Sequence, residues 1–217
     1  ATIGQIMEIV PVKFKRDKPF AIGALSLNGL ALEHLPFFND DDNCVLTAVK
    51  QAGYAIRHAS TRLEHREDMV LHAIQTCDEA VEGVTDRDVI MKAVAQKGYV
   101  LDNVGDVFQN DKEIVRAAVQ NDGYALNFAS DKWKNNKEIV LTAVANDHPE
   151  SHCCETCFEE LSDELKDDYD VVKMAVSYNP YTYDYVSDRL KKKHEIALLF
   201  ARHKYWTDTS IGAYFET

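Results

Sequence analysis

The sequence predicts an all-α protein, an α-solenoid of about seven to eight stacked helix–turn–helix repeats of about 25 residues with terminal caps. Three observations predict it. The phrase Glu113-Ile114-Val115, then Ala118-Val119, Gly123-Tyr124-Ala125-Leu126 and Ala129-Ser130, recurs along nearly the whole chain. The apolar residues of each copy share one helical stripe, and no segment carries a strand pattern of comparable strength. A fixed period means one small unit stacked on copies of itself.

The alanine of the Ala-Val pair, or its counterpart, anchors each copy: Ala24, Ala48, Ala73, Ala93, Ala118, Ala143 and Ala175, with Phe200 in the eighth. Successive anchors lie 24, 25, 20, 25, 25, 32 and 25 residues apart, so one copy is five residues short and one is seven long. Apolar residues sit four and three before the anchor, at it, and one after, as in Ile114, Val115, Ala118 and Val119. At roughly 100° per residue these span an arc of about 140°, a single buried stripe. Alanine near its middle lets a neighbouring backbone come close.

Eight residues before the anchor stand Asp40, Thr85, Asn110, Asn135 and Asp167, types that cap helix N-termini. Asn110 with Glu113, and Asn135 with Glu138, read as capping boxes. Five residues after the anchor come Gly29, Gly53, Gly98 and Gly123, placed to end the helix in the left-handed conformation. Tyr124 to Ser130 then supplies a second, shorter helix, matched at 54–60, 99–105 and 181–187, and the polar stretch Asp131 to Asn135 is the return loop. Residues 6–14 are apolar and β-branched, but Pro11 argues against a central strand. Residues 1–19 are therefore expected to cap the first copy and 206–217 the last. No Gly/Ser/Pro-rich linker interrupts the repeats over 20–205, so 1–217 is expected to be one elongated domain.

Thirty-six acidic against 24 basic side chains give a net charge of −12, and much of the excess sits at helix starts, where it complements the helix dipole. This balance argues against nucleic acid, which needs a basic face. The basic clusters Lys13, Lys15, Arg16, Lys18 and Arg189, Lys191, Lys192, Lys193 read as solvated loops rather than phosphate sites. No run approaches 18 apolar residues and no leader pattern opens the chain, so the expectation is an intracellular, cytoplasmic protein without a membrane role. Five cysteines, an odd number, fit a reducing compartment, with Cys44 and Cys77 as ordinary buried thiols.

One cluster carries chemistry. The seven extra residues between Ala143 and Ala175 fall in a stretch holding His148, His152, Cys153, Cys154 and Cys157. Cys154 and Cys157 have the spacing zinc sites use, because both thiolates reach one ion across a turn, and either histidine completes a set. The stretch admits three readings: a structural zinc site, a redox-sensitive dithiol, or inert thiols in a surface loop. No phosphate-binding glycine loop, His-Glu-x-x-His or Gly-x-Ser-x-Gly is present. Asn39 to Asn43 imitates the start of a calcium loop but lacks the glycine and glutamate that such a loop requires.

Tyrosines are the remaining signal. Tyr54, Tyr99, Tyr124 and Tyr181 share one repeat position and form a ladder, for which burial between helix layers is favoured over an exposed binding row. Tyr178, Tyr181, Tyr183 and Tyr185 crowd the seventh copy, and Tyr178, Tyr181 and Tyr185 are the candidate partner-binding residues.

The phrase running from Lys112 to Ser130, Lys-Glu-Ile-Val-x-x-Ala-Val-x-x-x-Gly-Tyr-Ala-Leu-x-x-Ala-Ser, resembles the repeat catalogued as domain of unknown function 4116. That family is met mostly in protists and large DNA viruses and has no assigned activity. The resemblance covers about positions 20 to 205, clearest at Ala48, Ala93 and Ala118 and poor at Ala73 and Phe200. It implies a helical-repeat protein and brings no catalytic residues. The expected function is thus a non-enzymatic protein–protein interaction scaffold that needs no cofactor and favours a basic protein or peptide partner. The alternative is a metal-binding or redox module at 148–157.

Overall fold

The computed structural model describes residues 6, 7, 9–146 and 158–207. Every regular element among the described residues is helical. One long helix carries each anchor: α1 (Lys18–Leu27), α2 (Asp42–Gln51), α3 (Glu67–Ala73), α4 (Arg87–Gln96), α5 (Lys112–Asn121), α6 (Lys137–Ala145), α7 (Tyr169–Tyr178) and α8 (His194–Thr207). The chain divides into two compact units, Ala1–Phe108 with α1 to α4 and Gln109–Thr217 with α5 to α8.

The predicted stripe is the core. From α2 to α7, all four stripe positions are buried in every copy, as in Cys44, Val45, Ala48 and Val49 or Val171, Val172, Ala175 and Val176. Full burial of a Val or Ile side chain contributes about 1.5–3 kcal/mol, so this seam dominates each unit's cohesion. In the first unit α1 packs on α2, α2 on α3 and α3 on α4; in the second α5 packs on α6, α6 on α7 and α7 on α8.

The helix start lies one residue later than the sequence suggested. Asp41, Asp86, Asp111, Asn136 and Asp168, seven before the anchor, are the caps, and Asp111 accepts from the N–H groups of Glu113 (2.9 Å) and Ile114 (3.2 Å). Asp111 and Asn136 thus cap in place of Asn110 and Asn135, and Glu138 reaches Lys112 of the preceding copy at 2.9 Å. The residues eight before the anchor have another task. Asp40, Asn110 and Asp167 accept from the hydroxyls of Ser60, Ser130 and Ser187, which lie twelve after the same anchor. The backbone repeats the clasp, with Ser60 N donating to Asn39 O (2.7 Å), Ser130 N to Gln109 O (3.1 Å) and Ser187 N to Lys166 O (3.2 Å).

Among the described residues the second element is a six-residue 3-10 helix in five copies, such as Gly53–His58 or Gly123–Phe128, rather than an α-helix. The expected return loop is itself a helical turn, as in Thr61–Glu64, Asp131–Lys134 and Asp188–Lys191, with Leu63, Trp133 and Leu190 buried beneath it. The indole N–H of Trp133 donates to Asn110 O at 3.0 Å and so joins the clasp. The short copy anchored at Ala73 lacks this third element. Its 3-10 helix Asp78–Val81 runs straight into a turn at Gly83, whose φ of 76° is the left-handed geometry, and from there to the cap of α4.

The glycines five after the anchor are not left-handed; among the described residues only Gly83 has positive φ. Helices α2, α4, α5 and α7 end through an extended residue, Ala52, Lys97, Asp122 and Asn179, whose N–H still bonds the anchor carbonyl at 2.8–2.9 Å. Glycine is needed next because the following copy comes close. A Cβ on Gly29 would stand 2.2 Å from Ala48 O, and one on Gly53 would stand 2.2 Å from Ala73 O. The Gly53 N–H donates to Thr76 Oγ1 at 2.8 Å, so the junction is bonded as well as packed.

The one-turn helix Val12–Lys15 packs on α1, with the Phe14 and Phe20 ring centroids 6.0 Å apart. The C-terminal cap expected at 206–217 lies, from 208 onward, outside the described residues.

Candidate interaction surface

The residue after the junction glycine is the second of the 3-10 helix, and at Tyr54 and Tyr99 it is exposed while the next two turn into the core. In the first unit Ala55 and Ile56 are buried behind Tyr54, and Val100 and Leu101 behind Tyr99. Tyr54 is 51% exposed and Tyr99 37%. In the second unit Tyr181 is 57% exposed, and Tyr178, at the end of α7, is 49% exposed. The expected buried ladder is therefore exposed at Tyr54, Tyr99 and Tyr181, while its fourth member, Tyr124, is half-buried with its ring edge-on to Phe128 at 5.3 Å. The reason is the helix type: three residues per turn directs a single face of this short element inward, and the next two residues occupy it.

Tyr185 is half-buried, so of the three residues singled out in the seventh copy Tyr178 and Tyr181 stand open and Tyr185 does not. Tyr183, the fourth tyrosine of that crowd, stacks on Phe200 of α8 with centroids 4.3 Å apart and planes at 10°. That ring is structural. Around Tyr54, the Arg57 guanidinium lies 5.3 Å from the ring centroid and His58 makes an edge contact at 6.3 Å. An exposed aromatic with a cation beside it resembles the anchors that dominate protein interfaces.

The charged groups are spent on structure. A base six before one anchor meets an acid seven or five before the next: Lys18 with Asp41 (2.6 Å), Lys112 with Glu138 (2.9 Å), and Lys137 with both Asp168 and Asp170 (2.8 Å each). In α7 and α8, Lys173 pairs with Glu195 at 2.6 Å and the Tyr169 hydroxyl donates to the same carboxylate. The Lys18 ammonium holds the Asp41 carboxyl below its usual range, and Lys112 does the same for Glu138. The Ser187 hydroxyl and then Arg189 lower Asp167, as Ser60 and Arg62 lower Asp40. Asp78, standing where other copies carry glycine, has its own partner in Lys97 at 2.5 Å.

These shifts fix a pH dependence. Each carboxyl titrates lower in the folded chain than in the unfolded one, so between those values the unfolded chain binds more protons. The stabilisation is complete above the ordinary aspartate value of 3.8 and is lost as pH falls through it toward the folded values. Urea midpoints are expected to stay level from about pH 7 to pH 5 and to drop below about pH 4. A midpoint that stays flat to pH 3 would show that the clasps and inter-copy pairs contribute nothing.

Cys44 and Cys77 are buried thiols, each pushed up to about 11 by burial, and so are poor nucleophiles at neutral pH. His148, His152, Cys153, Cys154 and Cys157 lie outside the described residues, as does the seven-residue excess that holds them. Among the described residues no group of three His, Cys, Asp or Glu side chains could hold a metal ion, and no helix is long and apolar enough to cross a membrane.

Residues 86–134, 116–151 and 136–191 each match the model of a family described as Domain of unknown function (DUF4116). No curated protein and no solved structure matches the chain.

Proposed function

We propose, on the premise that residues 86–191 belong to this repeat family of unassigned function, that the protein is a non-enzymatic interaction scaffold. In this reading each unit is an α-solenoid of four copies that presents its open tyrosines to a protein or peptide. One observation carries it: six residues after the anchor, four copies carry a tyrosine, exposed in Tyr54, Tyr99 and Tyr181 and half-buried in Tyr124. An aromatic ring on a rigid helical turn is costly to leave in water and loses little conformational freedom on docking. The partner's chemistry follows from the net charge of −12: apolar side chains to cover the rings, within a basic segment.

The test is capture from native extract by the immobilised protein at low and moderate salt, beside a Tyr178→Ser, Tyr181→Ser variant. A partner is expected to bind the parent protein at both salts, more weakly at the higher, with at least tenfold loss in the variant. Capture of nothing, or equal capture by parent and variant, rejects the reading.

A further inference from the structure

In the first unit the 3-10 helices Gly29–His34, Gly53–His58, Asp78–Val81 and Gly98–Asn103 pack one on the next in chain order. Three residues per turn bring side chains three apart onto one line of such an element. Six residues after the anchors stand Leu30, Tyr54, Glu79 and Tyr99, and nine after them Glu33, Arg57, Glu82 and Asp102. All eight are exposed, and the two residues between each pair are buried in all four copies. The layer of 3-10 helices thus shows one outer face with two parallel rows, the first mostly apolar and the second mostly acidic.

The charge on this face suits a cation. Four of the eight residues are acids and only Arg57 is a base. Arg57 pairs with Glu82 at 2.9 Å while lying 5.3 Å from the centre of the Tyr54 ring. Glu79, whose carboxylate accepts from the Cys77 thiol at 3.2 Å, interrupts the apolar row between the two tyrosines. In the second unit the matching residues of the copy anchored at Ala143 lie outside the described residues, so the face is traced in the first unit alone.

The spacing selects the shape of the partner. Packed helices lie roughly 8–10 Å apart, and each copy advances the two rows by about that distance. A polyproline II helix repeats a face every three residues, or about 9.3 Å. An extended strand repeats a face about every 6.7 Å and an α-helix about every 5.4 Å, so neither keeps step with successive copies as closely.

Building on the reading that the open tyrosines dock a peptide, we propose that this face binds a proline-rich segment in the polyproline II conformation that carries a lysine or arginine. Apolar residues six apart, proline foremost, cover Tyr54 and Tyr99, and the base midway between them meets Glu79. Leu30 takes a further apolar residue three beyond the Tyr54 contact. Proline-rich chains already hold this conformation, so docking them on aromatic rings costs little ordering entropy.

The test is a fluorescence anisotropy titration of the whole protein into two labelled peptides, Pro-Ser-Pro-Lys-Pro-Ser-Pro and the same peptide with glutamate for lysine. The lysine peptide is expected to bind about tenfold more tightly. Glu79→Lys should remove that preference, whereas Glu113→Lys, the same change of net charge at an exposed site in the second unit, should leave most of it. Tyr54→Ser with Tyr99→Ser should weaken the lysine peptide about tenfold while keeping the parent's circular dichroism spectrum. Where that double variant loses the helical spectrum, Tyr99→Ser alone serves, with about threefold weakening expected. Glycine for the two prolines beside the lysine should cost about fivefold, because the free peptide no longer holds its bound shape. Equal binding of the two peptides, equal effects of Glu79→Lys and Glu113→Lys, no loss on removing the tyrosines, or no loss with the glycine peptide overturns the proposal. If no peptide binds, the polyproline assignment falls, and the docking reading survives only where the tyrosine variants still lose the partner captured from extract.

Discussion

Replacing Gly53 by alanine is expected to destabilise the protein by about 3 kcal/mol, although the change adds a single methyl group. The added Cβ would stand 2.2 Å from Ala73 O and 2.7 Å from Thr76 Oγ1. The hydroxyl could rotate away, but the carbonyl belongs to the backbone of α3 and already accepts from Cys77 N at 2.9 Å. Relief therefore requires separating α2 and its 3-10 helix from α3, which exposes part of the stripe. The same substitution at Gly23 should act in the opposite direction. Gly23 lies inside α1 with nothing within 4 Å of the Cβ, so alanine there removes helix-opposing backbone freedom and stabilises by about 0.5–1 kcal/mol. Urea unfolding of the pair separates the two accounts of these glycines. If Gly53→Ala were neutral, the close approach of the next copy would not be what selects glycine there.

Ala118→Leu is the second large effect, with an expected loss of about 2–3 kcal/mol. Ala118 is fully buried in the seam where α5 packs on α6, and three extra carbons have nowhere to go without driving the helices apart. Its neighbour Ala117 is half-exposed on the same helix, and Ala117→Leu should stay within about 0.5 kcal/mol of the parent. Leucine and alanine both favour helix, so propensity cannot account for a difference between adjacent positions. Equal losses at the two sites would mean that the Ala-Val pair does not face the seam.

The period and the stripe were legible because they are local: residues three and four apart share a face whatever surrounds the helix. The helix start was misplaced because Asn110 and Asp111 are both cap types, as are Asp40 with Asp41 and Asp167 with Asp168. Which of each pair caps is decided by the other's bond to a serine twenty residues on, a tertiary contact that no local pattern reports. The glycines were located correctly but given the wrong reason. A left-handed φ is a property of one residue, whereas the actual constraint is the carbonyl of the next copy's anchor. The five-residue deletion was visible in the spacing, and the structure shows that it removes the one-turn helix that follows the 3-10 segment elsewhere. Exposure of Tyr54, Tyr99 and Tyr181 could not be read, because identical phrases in sequence fit a 3-10 turn and an α-turn, and only the first turns this position outward. The Cys/His-rich stretch at 148–157 lies outside the described residues, so its three readings stand as the sequence left them.

Amide hydrogen exchange resolved to single residues tests most directly whether one stacked unit is repeated through the chain. The amides of Ala52, Cys77, Lys97, Asp122 and Asn179 each donate to an anchor carbonyl at the seam. They should exchange among the slowest in their units, together with the long helices that precede them, while the one-turn helices exchange faster, so that protection rises and falls with the spacing of the anchors. Protection without that period, or anchor-bonded amides exchanging as fast as the one-turn helices, would contradict the account.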